Sequence, residues 1–349
     1  MKLAPVLQAL TARGVRQHVV HTGQHYVVNM SDALFRELRL PEPDVNLGVG
    51  SGSHGEQTAE ILIGMERCLA DLRPDAVMVY GDSNSSMAAT LAASTADIPV
   101  GHVEAGLRSK PARALSDVNR IATDRLATWH FTPSDDADEN LLAEGTDRAS
   151  IARVGNVMID TLTRLLPGAQ PASILQTFGL LTASGPKPYA LVTLHTPPNV
   201  DDEAMLERLL DALIDVAAQL PVIFPVHPRT RARMKDHQLQ FSGVLLTGPL
   251  TYLQFLGLQR QATVVVTDSG GVQEETTYLG VPCLTVRENT DRPVTVRLGT
   301  NTVVGSDPAG LSGLVAEVLG GRGKRGTIPP MWDGRAGERI AERLMDGRR

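Results

Sequence analysis

The chain has few cysteines, few aromatic residues and no excess of basic charge. Of 349 residues only Cys68 and Cys283 are cysteine. Each stands in an apolar run, two thiols cannot form a tetrahedral zinc knuckle, and a disulfide framework is not expected. Aromatic residues make up only 4% of the chain. No apolar run reaches the roughly 18 residues a membrane helix needs. The opening Met1-Lys2-Leu3-Ala4-Pro5 lacks the apolar stretch and cleavage site of a secretory leader, so the expected location is the cytoplasm and no membrane partner is expected. With 33 Lys and Arg against 39 Asp and Glu the formal charge is −6, which argues against a generic nucleic-acid surface. A small anionic substrate stays open, because a pocket needs only a few cations. There is no Gly-Lys-Ser/Thr phosphate loop, no His-Glu-x-x-His helix and no Gly-x-Ser-x-Gly elbow. The histidines are scattered, so a metal site is not expected.

What is present is ordinary globular composition, 42% apolar and 21% charged. At about 150 residues per domain the length corresponds to two domains. Short apolar runs alternate with amphipathic stretches, the pattern of a parallel sheet covered by helices. In the first half the pattern predicts strands at 17–22, 76–80, 98–103, 129–132 and 151–154, with helices at 26–38, 56–72, 84–96, 117–128 and 135–144. In the second half it predicts strands at 189–194, 221–226, 243–246, 263–267 and 282–286, with helices at 202–219, 250–259, 270–279 and 309–319. Prolines and glycines across 166–188 are expected to break regular structure and mark the domain boundary. The expected fold is α/β, with two Rossmann-like doubly wound domains facing a central cleft. They span 1–166 and 167–334, and a terminal helix within 335–349 packs back on either one. Loops that follow strands should line such a cleft. One feature is out of place: the chain opens on a helix (2–13) where a doubly wound domain opens on a strand.

Polar residues directly after strands are the candidates for chemistry. Gly81-Asp82-Ser83-Asn84-Ser85-Ser86 follows 76–80 and reads equally as an N-cap or a functional turn. Glu104-Ala105-Gly106-Leu107-Arg108 follows 98–103, where a carboxylate is costly unless paired or used. His195 ends the strand at 189–194. Thr267-Asp268-Ser269-Gly270-Gly271-Val272-Gln273-Glu274-Glu275 opens a helix after a strand. Its glycines let backbone approach a ligand, and its free amides favour a phosphate. Ser269 adds a hydroxyl and Glu275 could accept from a ribose. The glycines of 48–55 do not follow a strong strand and are set aside. Arg229, Arg231, Arg233 and Lys235 read as a solvated helix face.

Taken together, VYGDSNSSMAA, PVGHVEAGLRS, VGNVMIDTL, PVHPRT and TDSGGVQEETTYLGVPCLTVRENTDRP resemble the non-hydrolysing UDP-N-acetylglucosamine 2-epimerases of the glycosyltransferase-B superfold, from residue 2 to about 345. The resemblance implies inversion at C2 of UDP-N-acetylglucosamine by elimination of UDP and re-addition to a glycal intermediate. It implies a UDP-sugar partner, no cofactor, a homodimer, and a product used for cell-surface polysaccharide. Residue by residue, it implies acid–base roles for Asp82 and Glu104, a place near the leaving phosphate for His195, and phosphate contacts for Lys2 and Arg120. It implies UDP binding by Ser269, Gly270 and Gly271, with Glu275 at the ribose. The chain also departs from the family pattern. The family's opening strand and Gly-Thr-Arg-Pro-Glu turn are not present, and they are expected to lie upstream of Met1. The family's Pro-Glu-Glu before Asn-Arg reads Leu115-Ser116-Asp117 here, so either Asp117 substitutes for a catalytic glutamate or one proton-transfer step is compromised. Its His-Arg reads His195-Thr196, so activation by a second substrate molecule is not expected. A hydrolysing relative that releases free sugar, and an impaired homologue that only binds UDP-sugar, remain alternatives.

Overall fold

A computed structural model describes residues 1–23, 34–109, 115–234 and 243–346. The chain forms two compact units, Met1–Arg164 with Pro330–Arg349, and Leu165–Pro329. The expected helix at 26–38 and residue Lys235 fall largely or wholly outside the described residues.

The second unit carries one six-stranded parallel sheet. Its strands are β9 (Ala190–Thr193), β10 (Val222–Pro225), β11 (Val244–Thr247), β12 (Val264–Thr267), β13 (Cys283–Thr285) and β14 (Asn301–Val303), in the order β11-β10-β9-β12-β13-β14. Counted within the unit this is 3-2-1-4-5-6, the doubly wound order whose direction reverses between the first and fourth strands. β12 is buried along its whole length, as expected for a parallel strand covered by helices on both faces. The apolar clusters on the two faces gather around Leu213, Val222 and Val266, and around Leu191, Ile223 and Val265.

The first unit has β1 (Val20–His21) paired in parallel with β2 (Val45–Asn46). A separate four-stranded parallel sheet runs β3 (Val77–Tyr80), β4 (Val100–Val103), β5 (Trp129–Thr132) and β6 (Ile151–Arg153). Helix His54–Leu72 starts at a capping box between Ser53 and Glu56, so the glycine-rich 48–55 serves as the approach to a helix. It packs on helix Asn84–Thr95, whose buried Ala88, Ala89, Ala92 and Ala93 permit close approach. Read as β2-β1 and then β3-β4-β5-β6, the unit follows the strand order of the second unit, with no described strand in the first position. A cavity of about 1080 Å³ lies there, between β1 and the outer edge of β3, and Leu3, Leu7, Val20, Val77 and Val79 line it.

Several stretches differ from the sequence reading, among them strands Val45–Asn46 and Asn301–Val303 and helix Val157–Leu165, which were not expected. The 166–188 segment is not broken throughout. It holds helix Pro171–Thr177 and the antiparallel hairpin β7 (Leu181–Thr182) and β8 (Gly185–Pro186). Pro171 occupies the first helical turn, where its missing N–H costs nothing. Residues 330–334, expected with the second domain, belong to the first unit. Trp332 is buried there and its indole Nε1 donates to the Pro133 carbonyl at 2.9 Å. The terminal helix Ala336–Asp346 also lies in this unit. The Asp160 carboxylate accepts from the Ala336 and Gly337 amides at 3.1 and 2.7 Å, and Ile340 and Ala341 join Val6, Leu10, Val103 and Phe131 in one core. Among the described residues, no helix is long and apolar enough to cross a membrane.

Candidate active site

In the first unit the candidate residues gather at the carboxyl ends of β3 and β4. Gly81 follows β3 with φ +72°, and a Cβ there would meet Lys2 Nζ at 2.6 Å and Glu104 Oε2 at 3.0 Å. Glycine takes this left-handed backbone without strain, and a side chain there would displace the ends of Lys2 and Glu104. Glu104 follows β4 with φ +72°, a conformation that costs a side-chain-bearing residue roughly 1–2 kcal/mol. The turn is held because the Glu104 and Ala105 amides both donate to the Phe131 carbonyl on β5, at 3.0 and 3.2 Å.

Each acid has a cation. Lys2 bonds the buried Glu104 carboxylate. The fully buried Arg120 donates to Asp82 Oδ2 at 2.8 Å, and the Asp82 side chain keeps 32% exposure. Asn119, beside Arg120 on helix Leu115–Leu126, donates to the Asp82 carbonyl and to Asn84 Oδ1, both at 3.0 Å. Asn84 in turn meets Gln57 and His54, each at 3.1 Å. The outcome is a pair of carboxylates on adjacent strand ends, one held by the part-exposed Lys2 and the other by the fully buried Arg120. Asp117 is buried on the same helix, but its carboxylate accepts from the Ser109 amide at 3.0 Å and from the Ser109 hydroxyl. The structure thus gives it a partner in the loop after Arg108. Ser116 is half-buried.

In the second unit the candidates meet at the switch point between β9 and β12. Asp268, fully buried after β12, accepts from the His195 and Thr196 amides, the Thr196 hydroxyl at 2.8 Å and Asn199 Nδ2 at 3.1 Å. The His195 Nδ1 stands 3.2 Å from its Oδ1. Burial pushes this carboxyl up, yet the His195 ring and Thr196 outweigh it and hold it below the ordinary carboxylate range. A carboxylate on Nδ1 leaves Nε2 as the nitrogen available to a ligand. The substituted Thr196 therefore does structural work on Asp268.

Ser269 caps helix Gly270–Leu279 without spending its hydroxyl on the cap. The first amides of that helix have no partner within it and form the positive end of its dipole. Gly270 is packed against the Arg292 guanidinium, and a Cβ would come within 2.6 Å of its Cζ. Arg292 also pairs with Glu274 at 3.1 Å and with Asp291. Arg292 thereby offsets the charge of Glu274 beside the start of the helix. Glu275 is buried, and that burial pushes its carboxyl up to about 7, against the pull of the Tyr252 hydroxyl that donates to it at 2.8 Å. Asp268 and Arg292 were not assigned roles from the sequence. Their signals were the strand-end position of the first and the ENTDRP segment around the second. The arginine run behaves as a solvated face, with Arg229 and Arg233 on Asp201.

The family model "UDP-N-acetylglucosamine 2-epimerase" matches residues 8–345. The chain belongs to this family. The UDP-N-acetylglucosamine 2-epimerase of Methanocaldococcus jannaschii is 39% identical, covering 100% of this chain and 96% of that protein. Its crystal structure in complex with UDP-GlcNAc and UDP superposes with a TM-score of 0.91 over 99% of this chain and 96% of that one. A UDP-2,3-diacetamido-2,3-dideoxy-D-glucuronate 2-epimerase of Pseudomonas aeruginosa is also 39% identical, over 82% of this chain and 80% of that protein. The fold is that of the glycosyltransferase-B-like epimerases, and the family's chemistry is isomerisation at a sugar carbon.

Proposed function

We propose that the protein interconverts UDP-N-acetylglucosamine and UDP-N-acetylmannosamine without hydrolysing them. The observation that carries this reading is the pair of carboxylates, Asp82 and Glu104, held on neighbouring strand ends and each bound to a cation. Inversion through a planar carbon needs a base on one face and an acid on the other. One of the two takes the C2 proton while the C1–oxygen bond to UDP breaks, leaving a C1–C2 double bond and free UDP. The other then returns a proton to C2 from the opposite face as UDP re-adds at C1. The amides of Gly270 and Gly271, the Ser269 hydroxyl and His195 support a diphosphate that gains charge as it departs. Lys2 and Arg120 offset the charge of the two acids. The dimer and the polysaccharide role rest on the family resemblance.

A second sugar is favoured by one finding. The Pseudomonas relative, equally identical over its matched length, is named for a 2,3-diacetamido glucuronate. The substituents at C3 and C6 are therefore a matter for substrate comparison, and the C2 chemistry is common to both. With UDP-N-acetylglucosamine in heavy water, the expected result is UDP-N-acetylmannosamine with deuterium at C2 in both sugars. Free sugar accumulating with UDP would show a hydrolysing enzyme, and UDP binding with neither exchange nor product would show an impaired one.

A further inference from the structure

The two candidate acids are carried by two turns, Gly81–Asp82 and Glu104–Gly106, and a buried pair ties those turns together alongside the Gly81 amide, which donates to the Val103 carbonyl at 2.9 Å. His102 lies on β4 with no exposure, and Asp124 lies on helix Leu115–Leu126 at 3%. The ring Nε2 is 2.9 Å from the Gly81 carbonyl and Nδ1 is 2.6 Å from Asp124 Oδ1. The other Asp124 oxygen accepts from the Gly106 amide at 3.1 Å and pairs with Arg108 at 2.8 Å. Arg108 forks onto Glu144 at 2.9 and 2.7 Å. Gly81 and Gly106 both have positive φ, so neither turn is fixed by its own backbone preference. Gly106 has no room for a side chain, since a Cβ would stand 2.3 Å from the Ala137 carbonyl.

Donor counting places the protons. A neutral imidazole has one N–H and one bare nitrogen. The Gly81 carbonyl can only accept, so Nε2 carries a proton. The 2.6 Å contact on the other side also needs one, because a bare nitrogen facing a carboxylate oxygen is repulsive. Arg108 and the Gly106 amide, both on the other oxygen, hold Asp124 as a carboxylate. The carboxylate therefore supplies no proton to that contact.

We propose that His102 and Asp124 are positioning residues for the epimerisation: a doubly protonated ring and its carboxylate clamp the Gly81 and Gly106 turns so that Asp82 and Glu104 keep one separation. Neither touches substrate, being buried, and each acts through a turn. The proposal rests on the reading of Asp82 and Glu104 as the proton-handling pair. Misplacing such groups by about 1 Å costs on the order of 100-fold in rate.

The test uses the full chain, labelled with 15N-histidine, and the variants Asp124→Asn and His102→Gln. In the wild type at neutral pH both His102 ring nitrogens are expected to show protonated signals, and Asp124→Asn is expected to remove one of them. Each variant is expected to lower kcat for C2 exchange about 10- to 100-fold, with KM within about threefold and the stoichiometry of UDP binding unchanged. A bare ring nitrogen in the wild type overturns the proposal, and so does wild-type kcat in both variants. Equal losses of kcat and of UDP-binding sites would reveal unfolding alone and count against it. Absence of exchange in the wild type would instead defeat the functional reading, while the nitrogen signals still decide where the proton lies.

Discussion

Asp82 and Glu104 differ in exposure as well as in partner, and that difference sets what each substitution should do. Asp82→Asn keeps the shape beside Arg120 and Glu104→Gln keeps it beside Lys2, so both remove basicity with little change in packing. Each is expected to lower C2 exchange by about two orders of magnitude while UDP binding, measured by calorimetry, stays near wild type. A loss of UDP affinity equal to the loss of rate would reassign them to ligand binding. Glu275 gives a prediction of a different kind. Its carboxyl is raised from 4.5 to about 7, first by burial, and Tyr252 and Gln259 only partly offset this. Between those values the folded chain holds a proton that the unfolded chain has lost. Stability should therefore fall as pH rises through 4.5 to 7, by about 3 kcal/mol if the full shift is realised. Glu275→Gln should flatten that part of the profile of Tm against pH, and a profile unchanged in the variant would show that the group is solvated.

At the scale of the element, the helix Gly270–Leu279 joins packing to ligand chemistry. Gly270→Ala places a methyl in the Arg292 guanidinium, which is itself bound to Glu274 and Asp291. The expected outcome is a Tm lowered by several degrees and UDP binding weakened about tenfold or more, since either the guanidinium must leave Glu274 and Asp291 or the first turn must move to accept the methyl. UDP binding unchanged in calorimetry would place the nucleotide elsewhere. Much of this element was legible in the sequence, because TVVVT followed by Asp-Ser-Gly-Gly is a strand-to-helix turn whose chemistry is local. The strand-end positions of Asp82, Glu104 and His195 were legible for the same reason. Asp117 and Arg292 were not. Whether a carboxylate on a helix faces Ser109 or a ligand depends on a loop packed against it, and the partner of Glu274 comes from a segment 18 residues away. The hairpin and helix inside 166–188 were hidden because proline was read only as a breaker, although it also starts helices.

The whole molecule is discontinuous in sequence. The core around Val6, Leu10, Val103 and Phe131 takes Ala336, Ile340 and Ala341 from the far end of the chain. The cores around Leu213 and Leu191 draw only on residues within Leu165–Pro329. A chain cut after Pro329 therefore loses the buried Trp332, the cap that Asp160 provides and one wall of the first core. Losing one buried Trp side chain alone costs about 3–5 kcal/mol, and the total stability of a domain is only about 5–15 kcal/mol. The first unit is thus expected to unfold while the second keeps its own transition. Hydrogen exchange by mass spectrometry should show protection lost across 1–164 and retained across 165–329, with C2 exchange abolished and weak UDP binding surviving. Protection lost equally in both regions would mean that the terminal helix stabilises the molecule as one cooperative body. Protection lost in neither would mean that the first core closes without it.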